Sequence, residues 1–243
     1  MFVSFTLALQ FLTRLPLGTN SAFSDFRVGQ SVLFFPLVGL LIGAILLLIS
    51  YLLKEQPIAL SAAIILTVWV LITGGLHLDG LADCSDAWAG GLANKERSLA
   101  IMKDPAAGPI AVIILILLLL LKWTALQSIL LQQQEILPLL LAPFLGRLSI
   151  LLLMLSTPYI RENGLGSMMQ QYLPKRAAKF IIGCSLLFVG LINFYTLLSV
   201  LVLVALIRYL ALQRLQGVTG DVYGASVEMV EAMVLISLAL NYG

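Results

Sequence analysis

Long apolar runs alternate with short polar stretches along this chain. Seven apolar segments can be drawn, at roughly 32–53, 57–78, 108–131, 136–157, 178–192, 194–212 and 224–242. A helix needs about 20 such residues to cross the hydrocarbon core of a bilayer. The fifth and sixth segments come from one run, Phe180 to Ile207, which is too long for a single crossing and is divided at Asn193. The first residues, MFVSFTLALQFLTRLP, form a short half-buried or interfacial helix ended by Pro16. They lack the basic start and small-residue cleavage site of a signal peptide. The pattern predicts an all-α protein: a polytopic transmembrane helix bundle of six to seven spans plus a short N-terminal interfacial helix. Residues 1–243 form a single integral membrane domain.

Composition supports the bilayer as solvent. The chain is 60% hydrophobic and 11% charged, and its mean hydropathy is +1.05. A net charge of +2 is too small to suggest nucleic acid. Cys84 and Cys184 match no zinc spacing and are read as free thiols.

Charge sorts by side. With seven spans, Arg14, Arg27, Lys95, Arg97, Lys103, Arg161, Lys175, Arg176, Lys179 and Arg214 share one side, and Lys54 and Lys122 take the other. Arg147 and Arg208 fall inside spans. Basic residues collect on the cytoplasmic side of a membrane protein, so the richer side is read as cytoplasmic. Acids contribute little to that rule. Yet Asp25, Asp79, Asp83, Asp86, Glu96, Asp104, Glu162 and Asp221 lie on the same side, with Glu228 and Glu231 starting the last span from it. A polar site at one membrane face would explain their placement.

Three stretches carry candidate chemistry. In GLHLDGLADCSDAWAGG, Asp79, Asp83 and Asp86 stand at i, i+4 and i+7, one stripe of a helix. If the second span runs past the membrane surface, the stripe continues it. Like charges so placed repel, and a hard divalent cation such as Mg²⁺ would reverse that. The plain alternative is a solvated acidic loop. In NKERSLAIMKDPAAGP, Lys103 and Asp104 precede a turn forced by Pro105, a cation and a carboxylate that suit a metal-bound phosphate or an ordinary surface helix end. In QGVTGDVYGASVEMVEA, Asp221, Glu228 and Glu231 again form one stripe, either a capped glycine-rich turn or part of a site. Arg147 sits near the middle of a span, where a cation needs a partner: a buried carboxylate or a phosphate. Arg161 offers a fork for phosphate, or a surface ion pair. His77 is an interfacial polar residue or a member of the site.

These motifs resemble the cobalamin synthase family, the adenosylcobinamide-GDP ribazoletransferases. The matching stretches are TRLP (13–16), FPLVGLLIG (35–43), GGLHLDGLADCSDA (74–87), IMKDPAAG (101–108), GR (146–147), RENGLG (161–166) and GVTGDVYGASVEMVE (217–231). They span nearly the whole chain in family order. The resemblance implies a Mg²⁺-dependent, multi-pass inner-membrane transferase with its site facing the cytoplasm. It would move the adenosylcobinamide phosphate moiety of adenosylcobinamide-GDP to α-ribazole or its 5′-phosphate, with GMP leaving. Carried onto this chain, Asp79, Asp83, Asp104 and Asp221 would hold metal, with Asp86 a further ligand or a support to one. Lys103, Arg147 and Arg161 would grip phosphates. Asp86 or Glu228 would take the proton of the ribazole hydroxyl. The resemblance leaves room for a homo-oligomer and for association with other enzymes of the cobalamin pathway.

Two other readings compete. A CDP-alcohol phosphotransferase also sets aspartates on membrane helices, but its D-G-x-x-A-R pattern needs an arginine that Asp79-Gly80-Leu81-Ala82-Asp83 and the Cys84 after it do not supply. A cation-coupled transporter would carry its acids at the membrane midplane rather than at one face.

Overall fold

The computed structural model describes residues 2–15, 24–92, 94–161 and 164–241. Pro16 and Glu162, both weighed above, lie outside these residues. The regular elements are helices: α1 (Phe2–Leu12), α2 (Asp25–Ser31), α3 (Phe35–Leu52), α4 (Ile58–Thr73), α5 (Leu76–Gly90), α6 (Lys95–Ile101), α7 (Pro109–Leu131), α8 (Ile136–Ser156), α9 (Leu165–Gln171), α10 (Lys175–Ile192), α11 (Phe194–Leu215) and α12 (Gly220–Asn241). Five runs are long and apolar enough to cross a membrane: Asp25–Leu52, α7, α8, α11 and α12. The pair α4 and α5 would make a sixth, broken span. The result is an all-α polytopic bundle.

α12 is its centre and packs against α5, α7, α8 and α11, while α3 lies along α8. α7 sits at the edge and exposes Ile113, Ile116, Leu117, Leu120 and Leu121, an apolar face suited to lipid. α1 buries Ser4, Ala8, Leu9 and Leu12 and leaves Phe2 exposed, as a half-buried helix should.

The long run divides at Asn193, as its length demanded. That residue is extended (φ −152°, ψ 96°), and its side chain accepts a hydrogen bond from Thr196 N at 2.9 Å, which caps α11. α10 and α11 then pack on one another. α10 opens with Lys175, Arg176 and Lys179, three cations within its 18 residues.

Two expectations change. The second segment does not continue into the acidic stripe. α4 stops at Thr73, Gly74 and Gly75 both take left-handed backbone (φ 65° and 70°), and α5 leaves at 89°. Only glycine adopts that conformation without steric cost, and two in succession turn the chain sharply. Lys122 is not on an outer side: it lies inside α7 and is buried. The basic asymmetry is therefore ten against Lys54 alone.

Candidate active site at the acidic end of the bundle

α5 lies across the start of α12 because of Gly80. A Cβ there would fall 2.7 Å from the backbone oxygen of Asp221. The missing side chain lets the two helices touch, and Asp79 and Asp221 come to line one cavity. Asp83 is close enough to feel both. Burial first, then the carboxylates of Asp221 and Asp79, push its carboxyl up to about 6, against the pull of Arg161. α5 turns away from the spanning direction, and this end of it is half-buried.

Arg161 is brought in by backbone pairing. Ile160 N donates to Val218 O at 3.0 Å, and Val218 N donates to Pro158 O at 2.9 Å. This isolated bridge holds the segment after α8 against the segment before α12. Arg161 Nη2 then reaches Asp221 Oδ2 at 2.6 Å and Met102 O at 3.4 Å. The second contact ties in the loop that carries Lys103 and Asp104. Thr219 Oγ1 also donates to Asp221 Oδ2, at 3.3 Å. Arg161 is 28% exposed, so it can meet a ligand from the aqueous end.

The other candidates are placed differently. Asp86 holds the N-terminus of α7: its two oxygens accept Gly108 N at 2.5 Å and Ala111 N at 2.9 Å. A carboxylate is well suited to these free N–H groups. Asp104 is exposed and accepts a bond from Ala106 N at 3.0 Å, closing a turn. Lys103 is exposed, and among the described residues neither it nor Asp104 is in an ion pair.

Glu228 lies deeper, about 10 Å beyond Asp221 along α12 at 1.5 Å per residue, and Arg147 of α8 meets the same helix one turn further on, at Glu231. Lys122 Nζ donates to Glu228 Oε2 at 2.5 Å and to Glu231 Oε2 at 2.6 Å. Arg147 Nη1 donates to Glu231 Oε1. The indole of Trp69 lies 4.9 Å from the Lys122 nitrogen. All four charged groups are buried. Two cations and two carboxylates thus cancel inside the bundle, and Arg147 finds a carboxylate partner. Sequence reasoning missed Lys122. The signal was available: a lone lysine mid-span on one helix and a glutamate pair at i, i+3 on another.

The acidic cluster suits a hard divalent ion in its donor chemistry. Asp79, Asp83 and Asp221 offer carboxylate oxygens that repel one another unaided. Among the described residues no three His, Cys, Asp or Glu side chains converge into a ready-made cage. An ion bound here would take one or two of these carboxylates and complete its shell with waters and substrate phosphates.

The sequence matches the family profile described as cobalamin-5-phosphate synthase over residues 4–239. Among similar curated proteins is the adenosylcobinamide-GDP ribazoletransferase of Pseudomonas putida (strain GB-1), 48% identical over 98% of each chain. The protein of that name from Pseudomonas aeruginosa (strain PAO1) is also 48% identical over 98% of each chain. That from Acinetobacter baumannii (strain ATCC 17978) is 42% identical over 98% of this chain and 97% of its own. No solved structure matches. With a fold, an acidic end and a full-length match in agreement, the chain belongs to the cobalamin-5-phosphate synthase family.

Proposed function

We propose that this chain is an adenosylcobinamide-GDP ribazoletransferase. It joins the adenosylcobinamide phosphate moiety of adenosylcobinamide-GDP to the ribose hydroxyl of α-ribazole or its 5′-phosphate. One phosphorus–oxygen bond forms to the acceptor, the bond to GMP breaks, and the acceptor's proton passes to a carboxylate of the cluster. The observation that carries the reading is the close packing of Gly80 on Asp221, which gathers acids at one end of the bundle.

The residues divide the work. Asp79, Asp83 and Asp221 would supply the one or two carboxylates that hold Mg²⁺, with Asp104 a further candidate on its exposed loop. A bound Mg²⁺ would offset charge on the pyrophosphate oxygens as GMP leaves. Arg161 can exchange its carboxylate partner for a phosphate, and its fork fits either. Lys103 stands exposed next to Met102, whose carbonyl Arg161 touches, for the same purpose. Asp86 and Glu228, the sequence candidates for proton acceptor, are both engaged: one caps α7, the other is closed in the ion cluster. Asp86 keeps free lone pairs beside its two bonds, whereas Glu228 is buried against Lys122, away from the aqueous end. Arg147 is likewise paired below the site and supports α12 rather than touching substrate. The basic asymmetry supports an inner-membrane protein whose acidic end faces the cytoplasm. A transporter would need its mid-depth acids on an open path, and here they are closed in ion pairs.

The test is GMP release by purified protein given adenosylcobinamide-GDP, α-ribazole 5′-phosphate and Mg²⁺. Chelation should abolish it. Asp79→Asn and Asp83→Asn should each reduce turnover on the order of 100-fold with unchanged melting. Full activity in either variant would remove the metal reading.

A further inference from the structure

The cavity lined by Asp79 and Asp221 continues past them into the bundle. Its volume is about 230 Å³. Clefts that take whole drug-sized ligands run to roughly 300–1,000 Å³, so this one takes a single ring system and no macrocycle. Its inner walls are apolar: Phe11, Phe35, Ile150, Met154, Leu165 and Met169. Beside them lie two polar side chains that the protein leaves incomplete. His77 is 3% exposed and Tyr223 is 5% exposed. Among the described residues neither His77 Nδ1 nor Tyr223 Oη has a hydrogen-bond partner. Buried polar atoms almost always have one, so each orphan calls for a ligand or an unseen water. Tyr159 stacks on Tyr223 with ring centroids 5.9 Å apart, which adds a flat aromatic wall.

We infer that this cavity is the subsite for the base of the acceptor riboside: a flat, largely apolar N-heterocycle, with its ribose directed to Asp79 and Asp221. The inference rests on the proposed reaction. Size excludes the corrin ring. Guanine, carried by the donor, is the rival base. Its edge bears several donors and acceptors, and the apolar walls would leave most of them unpaired. A benzimidazole-type base offers one free ring nitrogen, which can accept from Tyr223 Oη and leaves the rest of the ring to the apolar walls. His77 and Tyr223 would then select the acceptor, and neither takes part in the phosphoryl chemistry.

Tyr223→Phe is the clean perturbation, because the hydroxyl it removes has no partner among the described residues. The fold should not weaken. Equilibrium dialysis of the purified, detergent-solubilised protein would use α-ribazole and, separately, GMP as probes. α-Ribazole affinity should fall about 2–10-fold, the net worth of one hydrogen bond, and its KM should rise in step. GMP affinity, kcat and the KM for adenosylcobinamide-GDP should hold. Leu165→Trp, at a half-exposed cavity wall, should weaken α-ribazole in the same selective way. Unchanged α-ribazole binding in both variants would overturn the assignment. So would weakened GMP binding in its place, or a lower melting temperature for Tyr223→Phe. GMP release by the wild-type protein tests the reaction separately, so failure of the reaction and failure of the cavity assignment read differently.

Discussion

Lys122→Met should reveal how the buried charges are balanced. In the native bundle Lys122 meets both glutamates, at 2.5 and 2.6 Å, and Arg147 meets Glu231. Without Lys122, Glu228 is the orphan, and the chain has two ways to respond. It can keep the carboxylate charged, at about 3–5 kcal/mol for a buried pair broken on one side. Or it can protonate it. An ordinary Glu titrates near 4.3, so at pH 7 the proton costs about 2.7 pH units at about 1.4 kcal/mol each, or about 3.7 kcal/mol. The cheaper route sets the answer, a loss of about 3–4 kcal/mol at pH 7. The protonation route eases by about 1.4 kcal/mol per pH unit, to about 1 kcal/mol at pH 5. Adding Glu228→Gln removes the orphan and should restore stability to within about 1 kcal/mol of wild type. Reversible unfolding in mixed micelles, followed by tryptophan fluorescence at pH 7 and pH 5, measures all three proteins. A single variant as stable as wild type at pH 7 would refute the reasoning, as would a double variant no better than the single. A cost that does not shrink at pH 5 would refute the protonation route.

Three further outcomes are expected. Gly80→Ala should push α5 off α12, cost about 1–3 kcal/mol by overpacking and depress turnover; wild-type kinetics would mean the contact does not set the carboxylates. Asp86→Ala should cost about 0.5–2 kcal/mol as a lost helix cap, while Asp86→Asn, which keeps an accepting oxygen, should hold most activity. A loss on the order of 100-fold in Asp86→Asn with unchanged melting would instead make Asp86 the proton acceptor. In a protein lacking Cys84 and Cys184, cysteines at Leu165 and Gln213 should be labelled from the cytoplasm and one at Glu55 from the opposite side; Leu165 and Gln213 reporting opposite sides would break the assignment of one acidic face.

Much of the fold was legible because a bilayer leaves few choices. Apolar length alone located α7 and α8 to within about two residues, and a single Asn with no other punctuation marked the α10–α11 break. The turn at Gly74–Gly75 was harder. Apolar residues continue through Leu76 and Leu78, so hydropathy carries the span onward while backbone conformation ends it. The site was legible as residue types and not as partners. The stripe of Asp79, Asp83 and Asp86 reads as one set, yet the N-terminus of α7 holds Asp86 while α12 meets the other end of α5. Glu228 looked like part of the acidic face because sequence counts turns from a guessed start. α12 begins at Gly220, four residues earlier than drawn, so Glu228 lies deeper. Lys122 and the Glu228–Glu231 pair were each visible as buried-charge signals, but apolar length does not say which helix faces which, so they were not joined.

The ion cluster also bears on how the protein is made. Glu228 and Glu231 lie on the last helix, 106 and 109 residues after Lys122, and Glu231 comes 84 residues after Arg147. At about 5–20 residues per second, the ribosome needs on the order of 5–20 s to deliver the acids after the lysine. During that interval α7 and α8 each carry a lone cation, which insertion scales set at about 2.5–3.5 kcal/mol apiece at mid-bilayer. The early helices are therefore incomplete membrane segments until the chain's end arrives. Their final seating waits on α12, and a message cut short before Glu228 would leave two stranded positive charges for quality control to find.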